Sequence, residues 1–509
     1  MTFRLGIDCL TTATLHELSR RSNPALELAP QALSRIEAFR KIVTDAANSG
    51  EAHYGINTGF GFLAEVRIDT DKLSELQENL VRSHACGVGE FLDSQATRAL
   101  LILRAHTFAL GHSGVTPSTI TQLLAFLAHD ILPLVPVKGS VGASGDLAPL
   151  AHLALALIGE GDVVAHGQRL AATAALEKHG LARLSLGPKE GLSLINGTHF
   201  TTTIGVFALE EAKALARAAD CIAAMSLDAI RGSLVPFSAE IHELRPHPGQ
   251  LKVAANIRML FEGHDAIMAS HEDCTKVQDP YSFRCIPQVH GASRDAINYA
   301  EHVLERELNS VTDNPLCFTD GTIASGGNFH AQPVALALDF LGLAVAELGS
   351  IAERRVEKLT NPAMSGLPAF LATNGGLESG FMIPHVVAAA LVSENKILCH
   401  PASSDSIPTS ADKEDHVSMG PIAARKAREI ARNVSYVLAI ELIAAVRGLD
   451  LLAPLSPAPA LAAAQAALRK HSKKIEGDRS MHHDIEGVAA WILSGGLIAA
   501  LREHGIIID

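Results

Sequence analysis

Apolar residues recur at three- and four-residue intervals over 31–49, 71–84, 95–111 and 117–131, the spacing that gives a helix one buried face. Residues 163–171 break this rhythm, and the short runs around His166-Gly167 suit a small hairpin. Past residue 200 the segments lengthen. The stretches 200–230, 289–311, 333–358, 378–398 and 421–447 each predict a long helix, and 456–509 predicts shorter helices closing one end. The expected fold is mainly α: a long central antiparallel helix bundle with a loop-rich, mostly helical N-terminal part. The change of character divides the chain softly into residues 1–200 and 201–509.

Composition strengthens that picture. Apolar residues make up 48% of the 509 residues and aromatics only 4%; Ala and Leu dominate, which favours helices over strands. The net charge of −13 comes without any basic run, so nucleic acid is not an expected partner. The most apolar stretch, 333–349, contains Asp339 and Glu347 and predicts a core helix, not a membrane span. The first residues, MTFRLGIDCLTT, lack a basic-then-apolar signal pattern. Seven scattered cysteines (Cys9, Cys86, Cys221, Cys274, Cys285, Cys317, Cys399) contain no C-x-x-C pair, as expected of a cytoplasmic protein in a reducing compartment. His271-Glu272-Asp273-Cys274 and His482-His483-Asp484 hold ligand-type side chains without the spacing of a tetrahedral site, so no metal is expected.

Two glycine-rich loops, YGINTGFGFL (54–63) and PLVPVKGSVGASG (133–145), interrupt the helical N-terminal part. Such loops in a regular scaffold point to function. After the second, Asp146 and Pro149 start a helix, with the acid near the N-cap and Pro in the first turn. A tight turn there can press the Gly145 nitrogen against the Ala143 carbonyl carbon. Cyclisation and dehydration of Ser144 would then leave an imidazolone carrying an exocyclic methylidene. Gly145 allows access to its nitrogen, Ser144 has a hydroxyl that can leave, and Ala143 is small enough to avoid a clash. The helix N-terminus would stabilise negative charge developing on the ring. The bland alternative is a phosphate cradle, but the Lys-Ser/Thr placement and preceding strand of a P-loop are missing.

The full string GSVGASGDLAPLAH (139–152) resembles the prosthetic-group signature of the aromatic amino-acid ammonia-lyases and aminomutases. The resemblance extends over essentially the whole chain. YGINTGFG (54–61), NGT (196–198), QDPYSFRC (278–285), TDNP (312–315), SGGNFH (325–330) and EDHVSMG (414–420) follow in family order. It implies a carbon–nitrogen lyase whose electrophile, 4-methylideneimidazol-5-one, is formed autocatalytically from Ala143-Ser144-Gly145, with no diffusible cofactor. It also implies a mainly helical homotetramer with active sites shared between subunits.

The resemblance assigns roles as well. Tyr54 would remove the substrate β-proton, for which its phenol would have to ionise with help from its neighbours. Arg284 would pair with the substrate carboxylate as a planar fork. Tyr281, one helical turn away, would lie against the electrophile, with Gln278 in the same hydrogen-bond network. Asn196 would donate a hydrogen bond to the prosthetic group or the carboxylate, and Phe329 would lie near the substrate ring.

Two places bear on specificity, His84-Ala85 and Glu414. There the chain resembles family members acting on histidine; relatives acting on phenylalanine tend to have an apolar pair and Gln. A carboxylate facing an imidazole N–H makes a charge-assisted hydrogen bond, whereas against a phenyl ring it would be buried unpaired. The expected reaction is elimination of ammonia from L-histidine to give trans-urocanate, the first step of histidine degradation. Asp412-Lys413, where several bacterial relatives have Asn-Gln, and His385, where Gln is usual, are departures near the pocket. The alternatives are a tyrosine or phenylalanine lyase or an aminomutase on the same scaffold and, more remotely, a non-catalytic helical interaction protein.

Overall fold

The computed structural model describes residues 2–271 and 277–508, apart from the side chain of Phe62. Helices dominate, and the strands are two to four residues long. The chain forms two compact units: Met1–Phe207 with Glu301–Leu338 and Pro401–Arg425, and Ala208–Ala300 with Asp339–His400 and Lys426–Asp509.

In the first unit the helices Pro30–Asn48, Leu73–His84, Ser94–Ala109 and Pro117–Ala128 fall on the periodic segments. Their ends have local causes. Asp93 caps the third by accepting from the Ala96 N–H at 2.8 Å, and Pro30 and Pro117 occupy first-turn positions that need no N–H donor. Ser94–Ala109 is buried almost all round, from Ala99 through Ala109, and forms the centre of this unit. The hairpin Asp162–Ala165/Gln168–Ala171 turns at His166 and Gly167, both at positive φ (50° and 78°), the conformation a two-residue hairpin needs. Ile131–Pro133 pairs antiparallel with its first strand.

The second unit contains long helical segments 208–229, 286–300, 339–360, 382–398 and 426–451. Side-chain pairs set their directions. Glu211 meets Arg428 and Ser226 meets Glu441, in step, while Lys426, Val434 and Glu441 successively meet Asp339, Gly349 and Arg355. Segments 208–229, 339–360 and 426–451 therefore run the same way. Segment 286–300 opposes them, with His290 on Asp220 and Arg294 on the Ala216 carbonyl. Segment 382–398 opposes them too, with His385 on Glu353 and Cys399 on the Gly342 carbonyl.

Gln332–Thr360 is long and apolar enough to cross a membrane, yet 67% of its most apolar window is buried in protein. The described cysteines Cys9, Cys86, Cys221, Cys285, Cys317 and Cys399 are free. Among the described residues no group of three His, Cys, Asp or Glu side chains converges as a metal site would require. Glu272, Asp273 and Cys274 lie outside the described residues, and Asp484 is paired with Arg479.

Candidate active site

A cavity of about 640 Å³ in the first unit gathers seven of the side chains given roles above: Tyr54, His84, Ala143, Ser144, Asn196, Phe329 and Glu414. A cavity of similar size in the second unit, about 670 Å³, is lined mainly by apolar side chains. Its Arg447 already donates to the carbonyls of Leu371 and Ile475. The chemistry gathers in the first.

The loop 139–145 is held from several sides. The Gly142 N–H donates to Ser140 Oγ, the Ser418 hydroxyl to the Gly142 carbonyl, and the Met419 N–H to the Val141 carbonyl at 2.9 Å. Segment 144–146 lies against 196–198: the Asp146 N–H donates to the Gly197 carbonyl at 2.8 Å and the Gly197 N–H to the Ser144 carbonyl at 3.3 Å. Gly145 has φ +74°, and a Cβ there would collide with the Gly197 backbone. Only glycine fits this crossing.

Asp146 is the N-cap of helix Leu147–Leu157, but its carboxylate does not cap it. It accepts instead from the Thr201 N–H at 2.8 Å and hydroxyl at 2.6 Å, in the first turn of helix His199–Ala229. Complete burial pushes its carboxyl up to about 7, against these hydrogen bonds.

The Ser144 hydroxyl donates to Glu414 Oε1 at 2.7 Å. The other oxygen, Oε2, accepts from the Thr409 and Ser410 hydroxyls, each at 2.9 Å. Glu414 closes a loop through a bridge to Thr409, and three consecutive non-glycine residues inside it, Ser410, Ala411 and Asp412, have φ of 52°, 52° and 63°. Left-handed backbone costs about 1 kcal/mol or more per such residue. The turn so formed brings the Thr409 and Ser410 hydroxyls onto the carboxylate.

His84 ends helix Leu73–His84, where its Nδ1–H donates to the Leu80 carbonyl at 2.8 Å. Burial lowers its basicity, outweighing the Leu80 carbonyl and Glu414. The ring is therefore neutral, with Nε2 as an acceptor.

Tyr54 is half-buried, and its oxygen accepts from the Gly61 N–H at 3.4 Å. Its loop is shaped by Gly55 at φ +70°, where a side chain would strike Leu192. Asn196 donates from Nδ2 to the Asn314 carbonyl at 3.2 Å, leaving its buried Oδ1 unpartnered. An acceptor, not the expected donor, is thus the free end of that amide in this orientation. Phe329 comes from the loop that precedes helix Gln332–Thr360.

Gln278, Tyr281 and Arg284 belong to the second unit and are not among the residues of this cavity. Tyr281 is 73% exposed. Arg284 lies over its ring at 4.7 Å and donates from Nε to the Asp279 carbonyl.

Several groups at the site had not been singled out. His330 and His416 line the cavity beside Lys413 of the noted Asp412-Lys413 departure, the two imidazoles stacked with centroids 5.8 Å apart. Thr409 and Ser410 hold Glu414, and Asn314 holds Asn196. Proximity to the quoted motifs was the one available signal for these. Arg104 had a better one, a lone charge inside the apolar run LLILRAHTFAL.

A self-contained Ala-Ser-Gly turn facing a carboxylate, a neutral imidazole and a phenol on a helical scaffold defines a class of lyase. Residues 10–470 match the aromatic amino acid lyase family, and the chain belongs to that family. It is 53% identical over 504 residues to the histidine ammonia-lyase of Sorangium cellulosum (strain So ce56), covering 97% of this chain and 98% of that one. The crystal structure of histidine ammonia-lyase from Trypanosoma cruzi superposes with a TM-score of 0.92 at 42% identity, covering 99% of this chain and 96% of the other. Tyrosine aminomutase from Streptomyces globisporus gives 0.93 at 37% identity, with 99% of each chain covered.

Proposed function

We propose that this ammonia-lyase acts on L-histidine, releasing trans-urocanate and ammonia, with Ala143-Ser144-Gly145 cyclised to 4-methylideneimidazol-5-one. The observation that carries the substrate assignment is that Glu414 and the neutral His84 line one cavity with Ser144. Both present acceptors, and an imidazole brings the N–H donor that a phenyl ring lacks. The tripeptide fits the group: Gly145 sits where only glycine can, and the Ser144 hydroxyl is hydrogen-bonded to an acid. Formed, the group supplies an electrophilic carbon that makes the substrate's amino group a better leaving group.

The chain's own residues do the rest. Loss of the Ser144 hydroxyl removes the donor from Glu414 Oε1, which is then open to a substrate N–H. Thr409 and Ser410 keep Oε2 in place, so the carboxylate is oriented before substrate arrives. Tyr54, aligned by Gly61, removes the β-proton through its phenol oxygen. Phe329 packs on the substrate ring, and Asn196 offers Oδ1 to an ammonium hydrogen.

Arg284, Tyr281 and Gln278 serve the cavity of a neighbouring copy in a homotetramer, with Arg284 pairing the substrate carboxylate. The exposure of Tyr281 supports this, as does helix Met382–Leu398, which leaves Ile383, Val386 and Ile397 at 59%, 55% and 75% exposure. A reducing cytoplasm suits cysteines that stand singly.

The test is near-ultraviolet absorbance of purified protein with L-histidine, L-tyrosine and L-phenylalanine in parallel. Urocanate from histidine alone is expected. Cinnamate or coumarate would overturn the roles of His84 and Glu414, and a β-amino acid formed without net ammonia would make the chain an aminomutase.

A further inference from the structure

One buried charge has no part in the reaction outlined above. Arg104, in the middle of helix Ser94–Ala109, is 0% exposed. Its Nη1 donates to the Asn196 carbonyl at 2.9 Å and to His199 Nδ1 at 2.7 Å, and its guanidinium lies 4.5 Å over the Phe108 ring. Nε and Nη2 have no hydrogen-bond partner among the described residues. Asp313 and Asp146 attract it from beyond hydrogen-bonding distance, too weakly to offset burial, which lowers the guanidinium to about 10. A buried cation with idle donors is costly, and an apolar chain of similar length would fill the same space more cheaply. Its value lies in what Nη1 holds.

Nη1 grips both ends of segment 196–199. His199 is kept neutral by burial and by Arg104 itself, so Nδ1 accepts while Nε2–H donates to Thr107 Oγ1 at 3.1 Å. That segment is the surface on which 144–146 lies, through the Gly197–Ser144 and Asp146–Gly197 hydrogen bonds. Behind Gly197 there is no slack: a Cβ there would meet His199 and Thr312 at 2.8 Å.

We propose that Arg104 is a positioning residue for self-processing of Ala143-Ser144-Gly145, fixing segment 196–199 as the backstop against which the turn closes. This rests on the reading of the tripeptide given above. In the closure the Gly145 nitrogen bonds to the Ala143 carbonyl carbon. The Ala143 oxygen leaves as water with the amide hydrogens of Gly145 and Ser144, and Ser144 then loses its hydroxyl and α-hydrogen as a second water. No co-reactant is required. Planar amides and backbone sterics oppose the approach of nitrogen to carbon, so a rigid support accelerates it as any held near-attack geometry does.

The experiment follows the intact mass of wild type, Arg104→Met and Arg104→Lys from cell-free synthesis onward, with circular dichroism to establish folding. Wild type becomes lighter by two waters. Folded Arg104→Met keeps both waters in most chains. Arg104→Lys, which retains the charge but whose ammonium ends a bond short of the place where Nη1 meets both acceptors, loses them at least about tenfold more slowly. Should Arg104→Met fail to fold, the lysine variant decides. Either folded variant losing both waters at the wild-type rate, even with a lowered melting temperature, overturns the inference and leaves Arg104 a packing residue. A wild type that keeps both waters overturns the underlying reading and the inference with it.

Discussion

Glu414 carries more of the proposed specificity than any other side chain, because Thr409 and Ser410 hold its Oε2 before substrate binds and dehydration of Ser144 frees its Oε1. Glu414→Gln keeps the shape and removes the charge. Steady-state kinetics should show kcat/KM for histidine falling roughly 10- to 100-fold, the worth of one charge-assisted hydrogen bond, with a smaller fall or a gain for phenylalanine. An equal fall for both substrates would take specificity away from this residue. Asp146 offers a different test, since burial raises its carboxyl to about 7. A raised acid binds its proton more tightly folded than unfolded. Its contribution is therefore complete below the unfolded value of 3.8 and is lost as pH rises through about 7. Melting curves of wild type and Asp146→Asn should show the wild type losing ground to the variant from about pH 4 to about pH 7, then no further change. A difference independent of pH would mean that Asp146 stays ionised in the fold.

Helix boundaries test how far local chemistry sets this architecture. Asp93 is a side-chain cap of the buried helix that carries Arg104, bonded to the Ala96 N–H. Asp93→Ala should cost about 1 kcal/mol in denaturant unfolding, with the mass of the mature chain unchanged because the cap lies far along the helix from Arg104. A larger loss accompanied by incomplete dehydration would show that this helix must be anchored at its start to support the turn. The elements themselves were legible: 95–111 was expected and Ser94–Ala109 is found, and the hairpin turns at His166-Gly167 as composition suggested. The segment expected from 378 becomes helical only at Met382, because Gly376 and Gly380 at φ 99° and 54° hold the preceding residues in a loop. Apolar spacing continues through such a loop, whereas backbone dihedral angles do not.

Assembly decides whether the first-unit cavity is a complete site. Ile383 and Val386 stand exposed on helix Met382–Leu398, whose buried positions include Ala388 and Asn395. If the proposed assembly holds, the double variant Ile383→Asp with Val386→Asp should sediment as smaller species with helical content intact, and its urocanate production should collapse because the proposed reach of Arg284 and Tyr281 into a neighbour's cavity is lost. A variant that remains tetrameric and active would move the interface elsewhere. Full activity in a monomer would show that the first unit needs no help from a partner.

The sequence by itself determined the helices, the two glycine-rich loops and the tripeptide, because each depends on residues within a turn or two of one another. Its motifs also named the family. The tertiary structure decided what those residues face. Ser144 meets Glu414 across 270 positions and Gly142 meets Ser418 across 276, and no local pattern encodes such a pairing. Asp146 belongs by sequence to one helix start and by geometry to another. The neutral His84 and the half-used Arg104 are likewise products of burial by distant segments. Periodicity tells which face of a helix leaves water, and only packing tells which remote carbonyl, carboxylate or ring it meets there.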